Sequence, residues 1–546
     1  MIHNPILPGF NPDPSICKKD GVYYIAVSSF EWFPGVPVYR SYDLKHWQLH
    51  THVLKDESSL DLRRLEPSKG VWAPCLTWCE EDGLFYLVYT IMNSMNALYF
   101  DMDNYVVTAP TIEGPWSEPV YLNSSGFDPS MFHDDDGRKW VVNLEWESRL
   151  DYEHPGIIVI QEYSSKEGKL IGKAKRIWRG GTDRGCVEGP HLYKRKGLYY
   201  LMCAEGGTGY GHCVTMARSL DVQGPFEGDP CNPIITSTRM DFYSRHDSEF
   251  LKSYTYNPES ILQKSGHASW VETDKGEHYL VHLCARPYKT SLRSPMGRET
   301  AIQQMLWTED GWLRLHEGGN LAQLEVNESQ MAEHLWPDLA RRDNFTQGWS
   351  KNLYTPRISP EGWAFIDANK EALVMRGQES LSSLNRVSLV ARKISEFTME
   401  ASTKMTFKSN SFQKSAGLVI YYNNANYLYL RRYYSESLGC ECLGITKVDR
   451  GQRSENKPLR VVLGLEEVLY LRVNLLQGEY RFSYAFEEDQ WQAINYGFDA
   501  SLYSDEYAEG GGFTGAFVGM CVIDSQNRSQ VAEFDYFDYK AETSEQ

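Results

Sequence analysis

Gly21-Val-Tyr-Tyr-Ile-Ala-Val-Ser-Ser, Gly83-Leu-Phe-Tyr-Leu-Val-Tyr-Thr-Ile, Gly137-Arg-Lys-Trp-Val-Val-Asn-Leu-Glu, Gly197-Leu-Tyr-Tyr-Leu-Met-Cys-Ala-Glu and Gly276-Glu-His-Tyr-Leu-Val-His-Leu-Cys are five versions of one phrase. Each follows a charged or polar tripeptide: Lys-Lys-Asp, Glu-Glu-Asp, Asp-Asp-Asp, Lys-Arg-Lys and Thr-Asp-Lys in turn. A polar turn closed by glycine, then a run of aromatic and β-branched residues, is a hairpin signature. The glycines lie 62, 54, 60 and 79 residues apart, which leaves room for about four strands per repeat. Five such units in succession, ending near residue 325, predict an all-β chain that begins with a five-bladed β-propeller.

Eight to ten residues before these glycines stand Asp13 (Asp-Pro-Ser-Ile), Ala73 (Trp-Ala-Pro-Cys), Asp128 (Asp-Pro-Ser-Met), Glu188 (Glu-Gly-Pro-His) and His267 (His-Ala-Ser-Trp). Equivalent positions of a repeat occupy equivalent places in space. If they open the innermost strands, three carboxylates, a histidine and Trp72 converge at one mouth of the channel. Singly, an Asp-Pro is a turn and a lone buried histidine is a satisfied core group. Three carboxylates in one repeat phase make a candidate active site.

After Leu324-Glu-Val the repeat stops. Residues 326–344 read as a polar linker with a helical turn. Residues 345–546 alternate, as in Phe397-Thr-Met-Glu-Ala-Ser-Thr-Lys-Met and Tyr427-Leu-Tyr-Leu-Arg-Arg-Tyr-Tyr, and predict an antiparallel β-sandwich. The run Glu509-Gly-Gly-Gly-Phe-Thr-Gly is either an ordinary sandwich loop or a loop that carries Phe513 into the catalytic pit.

Composition narrows the partners. With 55 Lys and Arg against 73 Asp and Glu, the 546-residue chain has a net charge of −18, which argues against nucleic acid and anionic lipid. It carries 35 Tyr and 15 Trp, an enrichment suited to flat, partly polar ligands such as sugars. No apolar run reaches the roughly 18 residues of a membrane span. The N-terminus, Met-Ile-His-Asn-Pro-Ile-Leu-Pro-Gly-Phe, lacks the basic and apolar segments of a secretory signal. The 11 cysteines are scattered without a Cys-x-x-Cys pair, so reduced thiols in a cytoplasm are expected.

The motifs Asn4-Pro-Ile-Leu-Pro-Gly-Phe-Asn-Pro-Asp-Pro-Ser-Ile, Ser28-Ser-Phe-Glu-Trp-Phe-Pro-Gly-Val, Val71-Trp-Ala-Pro, Gly126-Phe-Asp-Pro-Ser, Glu188-Gly-Pro-His, Gly266-His-Ala-Ser and Met296-Gly-Arg-Glu-Thr stand in this order. Together they closely resemble glycoside hydrolase family 43, above all its bacterial two-domain β-xylosidases. The likeness continues through Phe513-Thr-Gly-Ala-Phe-Val-Gly and Phe534-Asp-Tyr-Phe. The resemblance implies a catalytic propeller over 1–325, a linker over 326–344 and a sandwich over 345–546 that helps close the active site. It implies that Asp13 is the general base on water, Asp128 the residue that orients the acid and adjusts its proton affinity, and Glu188 the general acid, in a single inverting displacement. Inversion needs about 6.5–9.5 Å between base and acid.

The resemblance also places His267 on the axis beneath the sugar, with a water or a divalent cation in some members. A lone histidine is a poor hard-cation site, so no cofactor is required and calcium near His267 stays a subsidiary expectation. Arg298, by default a surface ion-pair former, is implied to stand beside Asp128 and bind sugar hydroxyls through its planar fork. Phe30, Trp72 and Trp146, otherwise core, are implied to wall the sugar subsites, with Phe513 limiting their depth. Relatives often have Asp where this chain has Cys75, a position read as outside the reacting shell. The implied activity is exo-release of D-xylose from β-1,4-xylooligosaccharides by a homodimer or tetramer. The alternatives are an α-L-arabinofuranosidase, a fructosidase-type retaining enzyme, or a carbohydrate-binding propeller without catalysis.

Overall fold

A computed structural model describes residues 1–152, 156–242, 249, 251–337, 340–508 and 512–542. The first half is a ring of five sheets, each running in chain order from its first strand outward. The innermost strands are Ser15–Lys19, Gly70–Cys79, Ser130–His133, Glu188–Arg195 and Gln263–Glu272. Each pairs antiparallel with the strand that follows its repeat glycine. In the first and fourth blades the connection is only two residues, Asp20-Gly21 and Lys196-Gly197, and all four have positive φ. That is the turn whose twist matches two antiparallel strands, and glycine takes its second position without steric cost.

The ring is closed by its own ends. Ile2–His3 pairs with Glu325–Val326, and Asn4 Nδ2 donates to Ile302 O (2.7 Å) and Gln323 O (2.9 Å) in the last blade. Burying Ile2, Tyr23, Ile25, Val281, Ile302 and Val326 in one cluster seals this seam.

Residues 327–337 contain no helical turn; they run irregularly over the first blade, with a bend at 330–331. Ser329 Oγ donates to Asp43 O (3.0 Å), His334 N to Asp43 Oδ2 (2.8 Å) and Trp336 Nε1 to His46 O (3.0 Å). These bonds tie the segment to the first blade, and one of them, from His334 N, takes a backbone donor that a helix would have paired internally.

The second half is a two-sheet sandwich. One sheet is built around Thr398–Thr406, Val468–Leu476 and Val531–Glu542, the other around Lys414–Asn423, Asn426–Ser435 and Phe517–Asp524. Leu, Ile, Val and Met side chains from both sheets fill one core between them. The propeller docks on the outer side of the second sheet: Trp32–Phe33 pairs with Thr355–Pro356, and the Trp32 ring stacks on Phe517 at 3.6 Å and 15°.

Candidate active site

The backbone explains why the repeat motifs face the axis. Asp13, Ala73, Asp128, Gly189 and His267 all have left-handed φ, at 53°, 40°, 55°, 54° and 47°. Each is followed by proline, or by alanine in the fifth blade. Beside this residue the strand register shifts between Trp72 and Cys75, Glu188 and His191, and Gly266 and Ala268. Such a kink interrupts pairing and re-aims the side chain. A left-handed non-glycine residue costs on the order of 1–3 kcal/mol and is found where function holds it.

The fourth blade corrects the repeat phase read from the sequence. Its left-handed position is Gly189, one residue after Glu188. A Cβ on Gly189 would lie 2.9 Å from His267 Nδ1, so no side chain fits there. The carboxylate comes instead from the preceding position, whose counterparts in the second and third blades are Trp72 and Phe127.

Asp13, Phe30, Trp72, Asp128, Trp146, Glu188, His267, Arg298 and Phe513 line one cavity of about 140 Å³, joined by Met95, Phe100, Phe127, Cys186, Gly207 and Thr208. Phe127 was missed, although it precedes Asp128 as Trp72 precedes Ala73; Met95, Phe100, Cys186 and Thr208 carried no such signal. A larger cleft of about 800 Å³ near Tyr288 has acidic groups already engaged: Glu479 pairs with Arg481 and Asp499 accepts from Ser501 N.

Ser28 Oγ accepts from Ala73 N (2.7 Å) and donates to Asp13 Oδ2 (2.6 Å), fixing the first carboxylate against the second blade. Asp128 Oδ2 accepts from Gly189 N (3.0 Å). His267 Nδ1 lies 3.9 Å from both Asp13 Oδ1 and Asp128 Oδ2. Burial, with the Asp13 charge adding to it, pushes the Asp128 carboxyl up to about 6 against the pull of His267. Burial holds Glu188 well above the usual carboxylate range, with Asp128 and Asp13 pushing the same way and Arg298 opposing. Glu188 Oε1 is buried with no hydrogen-bond partner among the described residues. The pit thus holds a protonatable group beside a carboxylate that is served by a hydroxyl donor, the pairing that acid–base cleavage requires.

Arg298, expected beside Asp128, makes its ion pair elsewhere. Its Nη1 lies 2.9 Å from Asp505 Oδ2 of the sandwich and donates to Gly512 O (3.1 Å), while Nη2 donates to Thr208 O (2.9 Å). A buried guanidinium takes the buried carboxylate within reach, and Asp505 was not legible in the propeller motifs. The walls are aromatic. Phe30 stacks on Phe513 (6.1 Å, 20°), Trp72 meets Phe513 edge-on (5.5 Å, 78°), and Trp146 stacks on Phe100 (4.0 Å, 11°). Phe513 N donates to Ser68 Oγ (2.9 Å), so the sandwich loop does reach the pit; its tip, Glu509, Gly510 and Gly511, lies outside the described residues.

Calcium fits these residues poorly. Among the described residues no three His, Cys, Asp or Glu side chains converge as a ligand set. Besides the Asp13 and Asp128 carboxylates, the groups around His267 are His191 and His212, imidazoles that burial holds at about 3 and therefore neutral, whereas calcium takes about six to eight oxygen ligands. Cys75 is buried with Sγ 3.8 Å from His191 Nδ1 and does not line the cavity.

A propeller whose axial pit gathers three carboxylates under a sandwich-borne aromatic is the architecture of a glycosidase. The family model for glycosyl hydrolases family 43 matches residues 2–313, and that for the β-xylosidase C-terminal concanavalin A-like domain matches residues 342–540. The chain belongs to glycoside hydrolase family 43. It is 43% identical to a β-xylosidase of Bacillus subtilis (strain 168) over 99% of both chains. It is 40% identical to xylosidase/arabinosidase 43B of Humicola insolens, over 99% of this chain and 98% of the relative. The crystal structure of a xylan β-1,4-xylosidase from Bacillus halodurans C-125 superposes with a TM-score of 0.93 at 44% identity, covering 99% of this chain and all of that one.

Proposed function

We propose that this enzyme releases D-xylose from the non-reducing ends of β-1,4-xylooligosaccharides by a single inverting displacement. The observation that carries this reading is the pair of unlike carboxyl groups in one small pit: Glu188 favoured in its protonated form, Asp13 held by a donating hydroxyl. In the reaction Asp13 takes a proton from a water as its oxygen attacks the anomeric carbon, and Glu188 gives its proton to the departing glycosidic oxygen. The bond to the leaving sugar breaks as the bond to water forms, leaving Asp13 protonated and Glu188 ionised until solvent resets them. Asp128, hydrogen-bonded to Gly189 N beside the acid, orients Glu188 and raises its proton affinity.

A cavity of about 140 Å³ is below the roughly 300–1,000 Å³ of pockets for drug-sized ligands, and Phe513 closes one side of it. Both features support attack on a chain end rather than its interior. The names of the relatives from Bacillus subtilis and Bacillus halodurans support xylose and the β-1,4 linkage. That of the Humicola insolens relative, a xylosidase/arabinosidase, supports release of arabinose as a side activity. The eleven cysteine thiols, eight of them buried, support a reducing compartment such as the cytoplasm. A dimer or tetramer rests on the family likeness alone.

The acid and base are separated by leaving group. Glu188→Ala should lose about 10³-fold on xylobiose but far less on an aryl xyloside whose phenolate leaves without a proton. Asp13→Ala should be nearly dead on both. Equal losses of Glu188→Ala on the two substrates would overturn the acid assignment.

A further inference from the structure

Arg298 stands in the pit yet spends its charge on the other domain. Its ion pair with Asp505 is buried on both sides, each side chain 1% exposed. Next to it Lys264, wholly buried, binds Glu506 Oε1 at 2.6 Å and lies 3.8 Å from Asp505 Oδ2. Glu506 also accepts from Ser294 N (2.9 Å), and Tyr422 Oη donates to Asp505 Oδ1 (3.0 Å). Both cations of this cluster come from the propeller and both anions from the sandwich. The interface buries both cations against these anions, and removing either anion would leave a buried positive charge poorly compensated, a costly arrangement.

We propose that Asp505 is a positioning residue for catalysis: by pairing with Arg298 it holds and neutralises the guanidinium so that Glu188 keeps the proton it must donate. This rests on the assignment of Glu188 as the acid. Glu188 shares its small cavity with Asp13, Asp128, His267 and Arg298; Asp128 and Asp13 favour its protonated form and Arg298 its ionised form. Arg298 Nε is buried without a hydrogen-bond partner among the described residues, so the guanidinium has donor capacity left. An opposite charge within a few ångströms lowers a carboxyl by about 1–3 units. With Asp505 gone, the unpaired guanidinium acts more strongly on Glu188, the pit carboxyl whose ionised form it favours. The sandwich therefore supplies Phe513 as a wall and also sets the working state of the acid.

The test uses the full chain and two readouts. In Asp505→Asn the basic limb of the kcat/KM profile on xylobiose should fall by about one pH unit, with a smaller effect on an activated aryl xyloside. Asp505→Glu should restore the limb. Glu506→Gln breaks an ion pair of the same interface without touching Arg298, and should leave the limb where it is. Independently of any substrate, the infrared band of the protonated Glu188 carboxyl, assigned by its loss in Glu188→Gln, should titrate at lower pH in Asp505→Asn. If Asp505→Asn does not fold, Tyr422→Phe removes a donor from Asp505 and should move the band the same way by less. An unmoved band, or an equal movement in Glu506→Gln, overturns the proposal. A wild type silent on xylobiose would instead sink the substrate assignment while the band still decides the role of Asp505.

Discussion

Glu188 binds its proton more tightly in the folded chain than in the unfolded one, and that has a price in stability. For a carboxyl raised on folding, the native state holds more protons between the unfolded and folded pKa, so stability falls as pH rises through that window. For Asp128 the window runs from its ordinary 3.8 to about 6; for Glu188 it opens at its ordinary 4.5 and extends well above. Glu188→Gln, neutral at all pH, should therefore abolish hydrolysis of xylobiose yet raise Tm by a few degrees at pH 7. The gain should vanish near pH 4, where the unfolded carboxyl is protonated too. Thermal unfolding of both proteins at the two pH values checks this, and an unchanged or lower Tm at pH 7 would contradict the electrostatic reading of the pit.

At the scale of the element, the left-handed kink within or just before each innermost strand is what turns a repeat into a site. Its effect is sharpest at Gly189, where His267 occupies the space of a side chain. Gly189→Ala should destabilise by about 1–3 kcal/mol and lower kcat about 10–100-fold by displacing His267 and Glu188 together, with KM changed much less. Wild-type kcat in this variant would contradict the crowding at the axis. The blades themselves were legible because their turn glycines and aromatic runs are local and periodic. Glu188 was named by its motif, but its phase in the repeat was legible only to within one residue, since the motif-to-glycine offset varies from blade to blade and the kink that fixes the phase is a backbone conformation. The helical turn expected in 326–344 failed for a related reason: the bonds that hold His334 and Trp336 to the Asp43–His46 turn come from a distant segment.

At the scale of the molecule, two domains make one site. Trp32 and Phe517 are buried face to face where they meet, and Trp32→Ala should cost about 3–5 kcal/mol, read as a lowered denaturation midpoint, with activity falling as Phe513 loses its seat. Arg298 and Asp505 show why the interface was beyond the sequence: they lie over two hundred residues apart, in modules of different periodicity, and only packing joins them. The central claim, that this pit hydrolyses xylosides with a water delivered opposite the departing sugar, is tested most directly by an anomeric proton NMR time course on xylobiose. The account expects α-xylose to appear first and mutarotate to the β form. Early β-xylose would contradict the single displacement, and release of arabinose from an aryl α-L-arabinofuranoside without any xylose would contradict the substrate.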